Sequence, residues 1–221
     1  MVPPMQVRCF TVGAFAVNTY LLTDEASGLS AIVDTGETDE LVQRLKALDP
    51  APEIVMILLT HGHLDHAGAL PLLQAEWDVP TYLPRAERPL FETLPMQGRM
   101  FGMPHLDRPC GRIDHWLEDG DEVALGETTL RFFSTPGHTP GQGCYFDAHD
   151  IVVGDTIFAG SIGRTDFPMS DPELMVDSLR RLMDLPGELR VHSGHGPVTT
   201  LARELESNPF LAFVRREKGI R

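Results

Sequence analysis

The sequence has few cysteines and no long apolar segment. Its three cysteines, Cys9, Cys110 and Cys144, are widely separated and odd in number. They form no Cys-x-x-Cys pair, which argues against a disulfide framework and against a thiolate zinc site. No apolar run is long enough to span a membrane, and the N-terminal residues contain no signal-like segment. The absence of these signals predicts a cytoplasmic protein with no membrane partner.

Positive charge is also scarce. The chain has 18 lysines and arginines against 32 aspartates and glutamates, which gives a formal net charge of −14. Such an acidic chain is repelled by the phosphate backbone of nucleic acids and by anionic membranes. We therefore expect no nucleic-acid partner.

The composition and the order of apolar segments predict an α/β fold. Hydrophobic residues make up 42% of the chain, and the 20 glycines and 18 prolines favour a sheet-rich body over a helical bundle. Short apolar or alternating segments predict strands; these lie at 5–12, 17–23, 29–34, 54–59, 79–83, 113–117, 121–125, 128–134, 143–147, 151–154 and 189–192. Two runs of strands, each with helices, predict two sheets packed face to face with helices outside.

Helices are predicted between these strands. One covers 38–48, one follows the strand at 54–59 and extends to about residue 77, and a helical stretch ends the chain. Asp171 is expected to cap a helix over 172–184, with Leu174, Leu179 and Leu182 facing inward. Residues 84–112 lack clean periodicity and predict a helix followed by an irregular segment.

A dense group of metal-ligand residues follows the buried strand at 54–59. It reads His61-x-His63-x-Asp65-His66, in a loop where Gly62 permits a tight turn. Imidazole nitrogens suit zinc, iron and copper, and an added carboxylate suits zinc, iron or manganese. Asp65 has an alternative interpretation as a helix N-cap, because a helix is predicted directly after it. The group as a whole predicts a metal site.

Four more residues of ligand type stand beside glycine at predicted strand ends. They are Asp34, His138, Asp155 and His195. Asp34 lies in Asp-Thr-Gly, for which an ordinary Asx turn is an equally good interpretation. His138 is in a Pro-Gly-His-Thr-Pro-Gly loop, which restricts the backbone. Ligands converge at strand ends in α/β sheets, so these residues are candidates for the same site.

In this order, the histidine motif, His138, Asp155 and His195 resemble the metallo-β-lactamase superfamily over nearly the whole chain. The segments 137–141, 160–166 and 194–197 resemble glyoxalase II-like thioester hydrolases, and 101–104 and 208–210 resemble their short bacterial branch. The resemblance implies a four-layer αββα sandwich. It implies a single domain over residues 1–221, without the separate C-terminal helical domain that binds glutathione in longer members.

The resemblance also implies the roles of the site residues. One metal would be held by His61, His63 and His138, and a second by Asp65, His66 and His195. Asp155 would bridge both, with a hydroxide between them as nucleophile, and Asp65 and Asp155 would be the catalytic carboxylates. The ions would be two divalent metals, with zinc expected and iron or manganese as alternatives.

For the substrate, the resemblance implies a small-molecule thioester, S-2-hydroxyacylglutathione, cleaved to a 2-hydroxy acid and glutathione. Arg164 would contact the glutathione carboxylate. Asp34 would support the loop at residues 61–66, called the histidine loop below, from behind the metals. Alternatives are a mononuclear iron persulfide dioxygenase, which residues 163–167 also resemble, a β-lactamase, a nuclease and a non-catalytic binding protein. His192 is a weak candidate for a supporting role, and His105, His115 and His149 are expected to be ordinary surface or turn residues.

Overall fold

The first of two six-stranded sheets is formed by the N-terminal half of the chain. The computed structural model describes residues 5–217. The strands of this sheet are β1 (Gln6–Val12), β2 (Val17–Thr23), β3 (Leu29–Val33), β4 (Glu53–Leu58), β5 (Thr81–Pro84) and β6 (His115–Leu117), adjacent in that order. β1, β2 and β3 pair antiparallel, whereas β3 to β6 pair parallel. The parallel strands therefore end at the same edge of the sheet.

The second sheet comes from the C-terminal half. Its strands are β7 (Glu122–Leu125), β8 (Thr128–Ser134), β9 (Gly143–Phe146), β10 (Asp150–Gly154), β13 (Arg190–Ser193) and β14 (Thr199–Thr200). Between β10 and β13, the strands β11 (Ile157–Phe158) and β12 (Ser161–Ile162) form a separate hairpin. They lie in the order β14-β13-β10-β9-β8-β7. β10 and β13 are parallel, so their carboxyl ends also share one edge.

The helices cover the outer faces of the two sheets. They are α1 (Glu40–Lys46), α2 (Leu64–Ala67), α3 (Leu70–Glu76), α4 (Arg88–Phe91), α5 (Leu94–Met100), α6 (Pro172–Leu182), α7 (Leu201–Ser207) and α8 (Pro209–Glu217). Leu45 of α1 and Leu73 of α3 are buried in one cluster with Ile57 of β4. Leu179 of α6 is buried in another with Val191 of β13. Within residues 5–217, no helix is both long and apolar enough to cross a membrane.

The core between the sheets is formed by inward-facing side chains of both. Tyr20, Leu22 and Leu58 of the first sheet pack with Phe132 and Tyr145 of the second. Alternate residues of a strand face opposite sides, so the neighbouring Leu21 belongs to the outer cluster instead. Removing these apolar side chains from water stabilises the stack of sheets. The order is helix, sheet, sheet, helix, which confirms the αββα prediction.

Several local predictions differ from the structure. The helix predicted to extend to about residue 77 is divided into α2 and α3, and β11, β12 and β14 were not predicted. Leu174 was expected to face inward but is 42% exposed, and Met175 is buried in its place. Met175, Leu179 and Leu182 are spaced by four and three residues and so share one helix face, from which Leu174 is turned away. Residues 84–112 contain the short helices α4 and α5 and two 3₁₀ turns rather than one helix.

Candidate metal centre

All seven candidate ligands lie at one edge of the sandwich. The loop that carries His61 and His63 follows β4, and the loop of His138 follows β8. Asp155 comes directly after β10, and His195 follows β13. The strand order therefore brings together residues that are far apart in the sequence.

Their side chains form three overlapping sets whose ligand-type atoms lie within 4.8 Å of one another. The sets are His61–His63–His138, His61–His66–Asp155 and Asp65–His66–His195. His63 Nδ1 lies 2.9 Å from His138 Nε2, and Asp65 Oδ2 lies 3.2 Å from His195 Nε2. Two of these sets, His61–His63–His138 and Asp65–His66–His195, have no residue in common, and they are called the two ligand clusters below.

Asp155 lies between the two clusters. Its Oδ1 is 3.3 Å from His66 Nε2, and its Oδ2 is 3.5 Å from His138 Nε2 and 3.7 Å from His195 Nε2. One carboxylate therefore faces nitrogens of both clusters through its two oxygens. This is the arrangement expected of a bridging group.

Three buried polar atoms in the centre have no hydrogen-bond partner. They are His61 Nε2, His66 Nε2 and Asp155 Oδ1. Leaving such an atom unpaired in the interior costs about 1–3 kcal/mol, so a group of them calls for a partner. Their lone pairs point to an electron-pair acceptor such as a metal ion, and the donor set fits one.

Burial holds three of the histidines in the protonation state that binds metal. Burial lowers the pKa of His61, with His66 as the next cause, and it lowers the pKa of His63 to about 3. Burial also lowers the pKa of His138. These imidazoles are therefore neutral near pH 7, which is the form that donates a lone pair.

The carboxylates stay ionised. Burial acts to raise the pKa of Asp155, but the positive charges of the surrounding histidines, His66 first among them, together outweigh it and the pKa is lowered. Burial is likewise outweighed at Asp65 by His66 and His195 together, so its pKa is also lowered. Conversely, Asp155, Asp65 and Asp34 together raise the pKa of His66 against the effect of its burial. The centre thus attracts positive charge.

Asp34 supports the histidine loop from behind. Its Oδ2 lies 2.8 Å from His66 Nδ1 and accepts a 2.8 Å hydrogen bond from Thr60 Oγ1. Its Oδ1 accepts from the Thr60 backbone N–H at 2.8 Å. The side chain is 1% exposed, and its backbone adopts a positive φ of 60°. A contact to Nδ1 orients an imidazole and leaves Nε2 free to bind.

Glu87, which sequence reasoning missed, connects two of the ligand-bearing loops. Its Oε2 accepts a 2.7 Å hydrogen bond from Gly62 N–H, and its Oε1 accepts one of 2.6 Å from Gly141 N–H. The residue is fully buried, and burial raises its pKa. Glu87 lies in the segment without periodicity, where no pattern indicated it.

Two further polar side chains without a sequence signal hold the second-sheet residues. Gln142 Oε1 accepts a 3.0 Å hydrogen bond from the Asp155 backbone N–H. Asn18 Nδ2 donates to Ser193 O at 3.1 Å and to Gly196 O at 2.8 Å, on either side of His195. Each fixes the backbone at or beside a candidate ligand.

Replacing Glu87 with alanine is expected to lower the free energy of unfolding of the metal-free protein by roughly 2–4 kcal/mol, because two buried N–H donors lose their acceptor. Urea unfolding measures this. The exposed ion-pair residue Glu92 provides the control, and Glu92→Ala should change the stability by less than about 0.5 kcal/mol. Equal effects of the two substitutions would contradict the connecting role of Glu87.

Arg164 and His192 occupy positions outside the ligand clusters. The Arg164 side chain is 65% exposed, forms two 2.8 Å hydrogen bonds to Asp166 and lies over the ring of Phe167 at 4.3 Å. Its backbone carbonyl accepts a 2.7 Å hydrogen bond from His138 Nδ1. His192 Nε2 lies 2.7 Å from Asp150 Oδ1, so its hydrogen bond is directed away from the centre.

The centre lies in the floor of an open groove of about 610 Å³. His63, Asp65, His138, Asp155 and His195 all contribute to the groove. Its walls come from the β1–β2 loop, α5, β11 and the segment 164–169. A molecule in this groove would be in direct contact with the candidate metal ligands.

A family model for the metallo-beta-lactamase superfamily matches residues 12–195, which include every candidate ligand. The chain belongs to this superfamily. The resemblance noted in the sequence is thereby confirmed, and so is the fold. Divalent metal binding is the chemistry of this fold, and members of the superfamily include metal-dependent hydrolases.

Individual relatives are similar over almost their whole length. Hydroxyacylglutathione hydrolase GloC of Haemophilus influenzae is 36% identical over 212 residues, covering 94% of this chain and 98% of that protein. The crystal structure of TTHA1623 in a di-iron-bound form superposes with a TM-score of 0.82 at 35% identity, covering 93% of this chain and all of that one. BLEG-1, a B3 metallo-beta-lactamase, gives a TM-score of 0.82 at 33% identity, covering 93% and 99%. Together they support a metal-dependent hydrolase.

Proposed function

We propose that this chain is a dinuclear metal-dependent thioester hydrolase of the glyoxalase II type. Its substrate would be an S-2-hydroxyacylglutathione such as S-lactoylglutathione, cleaved by water to a 2-hydroxy acid and glutathione. The observation that carries the proposal is the pair of ligand clusters in the floor of the groove, with Asp155 facing nitrogens of both. Similarity to a relative named as a hydroxyacylglutathione hydrolase supports the substrate class.

In this proposal His61, His63 and His138 hold one ion, Asp65, His66 and His195 hold the other, and Asp155 binds both. Nitrogen and carboxylate donors accept zinc, iron and manganese alike. We propose zinc, with iron or manganese as alternatives; TTHA1623 has been crystallised in a di-iron form.

Two divalent cations here would lower the pKa of a shared water and polarise the thioester carbonyl. Asp155 faces both clusters and so orients the attacking oxygen between them. Asp65, whose side chain is 17% exposed, borders the groove and can accept the proton that the water releases. A carbon–oxygen bond forms and the carbon–sulfur bond breaks. The sulfur leaves as thiolate, and since thiols have a pKa near 8.5, it needs no strong acid.

Replacing Asp34 with asparagine is expected to weaken metal binding by about 10–100-fold, the usual effect of losing a group that orients a ligand. Competition with a chelator of known affinity measures this. Asp24 is a matched control, because it is a fully buried aspartate that accepts hydrogen bonds from Ser27 and Thr128 outside the site. Asp24→Asn should reduce stability but leave metal affinity unchanged. Equal metal affinities for wild type and Asp34→Asn would refute the role of Asp34.

Replacing Arg164 with alanine is expected to raise KM for glutathione thioesters by about tenfold and to affect kcat less, because a remote contact acts in ground and transition states alike. Loss of one charged hydrogen bond weakens binding by about ten- to a hundredfold. Because the Arg164 guanidinium is already paired with Asp166, we expect the low end of this range for KM. Asp166→Asn releases the guanidinium and should lower KM. Unchanged KM values in both variants would remove Arg164 from substrate binding.

Hydrolysis of β-lactams is a second candidate. It is favoured by the similarity to BLEG-1, which is named a B3 metallo-beta-lactamase and is 33% identical. The same pair of clusters could serve an amide carbonyl. An amide nitrogen leaves less readily than a thiolate, however, and needs a proton from a general acid.

Three substrates given to one metal-reconstituted preparation test the proposal. S-lactoylglutathione is followed by thiol release, a chromogenic cephalosporin by ring opening, and glutathione persulfide by oxygen uptake. We expect rapid thiol release and little of the other two activities. Ring opening without thiol release would favour the β-lactamase. Oxygen uptake without thiol release would establish the mononuclear iron dioxygenase instead.

A further inference from the structure

The walls of the groove above the metal centre are predominantly apolar. Large side chains approach the ligand histidines directly: the ring of Phe167 lies 5.6 Å from that of His63, and Phe158 lies 6.0 Å from His195. Phe15 and Phe101, which also line the groove, form an edge-to-face pair with ring centroids 5.4 Å apart. The groove therefore offers apolar contact area from its floor to its rim.

Much of this apolar surface is open to solvent. Of the eight large hydrophobic side chains exposed within residues 5–217, four line the groove, namely Met96, Met100, Phe101 and Met169. Met100 is 71% exposed, and Met96 precedes it by one helical turn on the same face of α5. Exposed apolar side chains gathered at one place mark a binding surface, whereas scattered ones need no explanation.

The polar side chains of the walls already have partners. Thr93 donates a 2.6 Å hydrogen bond to Leu90 O. Gln97 accepts from Leu64 N–H at 3.0 Å and donates to Gly62 O at 3.1 Å. Arg164 is paired with Asp166. Arg164 is the wall residue proposed for the glutathione carboxylate, so among the described wall residues the groups left for the acyl side of the substrate are apolar ones.

The apolar walls are fixed to the metal centre. The two hydrogen bonds of Gln97 join α5, which carries Met96 and Met100, to the backbone of the histidine loop. The loop that presents Phe15 is held by Glu37, whose carboxylate accepts from the neighbouring Ala14 N–H. Both walls therefore keep their position relative to the floor, as a specificity pocket must.

We infer that the groove binds an apolar alkyl or aryl group on the acyl side of the substrate, so that the preferred thioester carries a 2-hydroxyacyl chain of roughly four to eight carbons rather than lactoyl. This inference rests on the proposed thioester hydrolysis. A lactoyl group has one methyl to bury and would leave the exposed apolar side chains of the walls in contact with water. A longer chain covers the exposed methionines and phenylalanines instead.

A series of glutathione thioesters that differ only in acyl length tests the inference. Lactoyl, 2-hydroxybutanoyl, 2-hydroxyhexanoyl and 2-hydroxyoctanoyl thioesters are compared by thiol release. Full burial of one methylene group increases the binding affinity by about fourfold. We therefore expect kcat/KM to rise at least about tenfold from lactoyl to 2-hydroxyhexanoyl, mainly through KM. Equal or falling kcat/KM along the series overturns the inference while leaving thioester hydrolysis intact.

Substitutions in the groove walls test whether the preference for longer acyl chains depends on the exposed apolar side chains. Met100→Ser and Phe101→Ser should each reduce the ratio of kcat/KM for 2-hydroxyhexanoyl to that for lactoyl by about threefold or more. Phe213 on α8 is a matched control, because it is 47% exposed but does not line the groove. Phe213→Ser should leave the ratio unchanged. A ratio that is insensitive to Met100 and Phe101 overturns the inference.

A binding measurement separates failure of the inference from failure of the proposed function. S-hexylglutathione and S-methylglutathione are uncleavable, and calorimetry gives their affinities for the metal-loaded protein. Tighter binding of the hexyl compound, weakened by Met100→Ser, supports the apolar site even if no thioester is cleaved. Equal affinities overturn the inference.

Sedimentation at the same protein concentrations tests whether a second copy of the chain covers the apolar surface instead of a substrate. A dimer that Met100→Ser dissociates would make this surface an interface between two copies and would overturn the inference.

Discussion

Replacing Asp155 with alanine is expected to reduce turnover at least about a thousandfold, to the limit of detection. Removal of a single electrostatic stabiliser from an active site costs about a hundred- to a thousandfold, and Asp155 faces both ligand clusters. Its loss would disturb both proposed ions together. Steady-state thiol release from S-lactoylglutathione, with metal content determined on the same samples, measures the effect.

The matched control for this substitution is Asp150→Ala, which removes the aspartate at the start of β10 and is expected to retain metal. Asp150 is buried and paired with Arg190 and His192, outside the ligand clusters. Its loss should lower the free energy of unfolding without removing the metals. Wild-type turnover and full metal content in Asp155→Ala would show that the bridging assignment is wrong.

Metal removal is expected to abolish activity and to lower the stability of the fold. Reconstitution should restore both and approach two ions per chain, since the ligand atoms form two clusters. An ion present at a thousand times its dissociation constant stabilises the folded state by about 4 kcal/mol. Elemental analysis and thermal unfolding, each with and without chelator, measure the stoichiometry and the shift in Tm.

Variants separate specific binding from adventitious binding. His66→Ala should bind fewer ions and lose most of the stabilisation, whereas His149→Ala, on an exposed turn, should behave as wild type. Saturation at one ion per chain, with the same value in His66→Ala, would contradict the dinuclear assignment and favour the mononuclear alternative.

Most of the fold and the principal site residues could be predicted because their signals are local. Alternating and continuous apolar segments determine which faces of the strands are buried, and the two runs of strands correspond to the two sheets. Asp155 and His195 could be selected because ligand-type residues next to glycine at strand ends meet at one edge. The structure brings these residues together with the His61–His66 motif, as the resemblance implied.

The missed features depend on tertiary contacts that no local pattern encodes. Glu87 joins two loops through Gly62 and Gly141, which are far apart in the sequence, and nothing in its own segment indicates either partner. Gln142 and Asn18 likewise act on backbone groups that only the completed sandwich brings near. Leu174 was placed wrongly because the register of α6 depends on which face meets the second sheet.

The origin of the ligands has a mechanical consequence. Under the proposed assignment, each ion takes two ligands from residues 61–66, which follow β4 of the first sheet, and two from the second sheet. The second-sheet ligands are Asp155, which both ions share, and one histidine each: His138 for one ion and His195 for the other. The ions would then cross-link the two sheets at this edge of the sandwich. Separating the sheets there would require breaking coordination bonds on both ions at once. This edge would therefore be the most rigid part of the metal-loaded protein and the first to become mobile when the metals are removed.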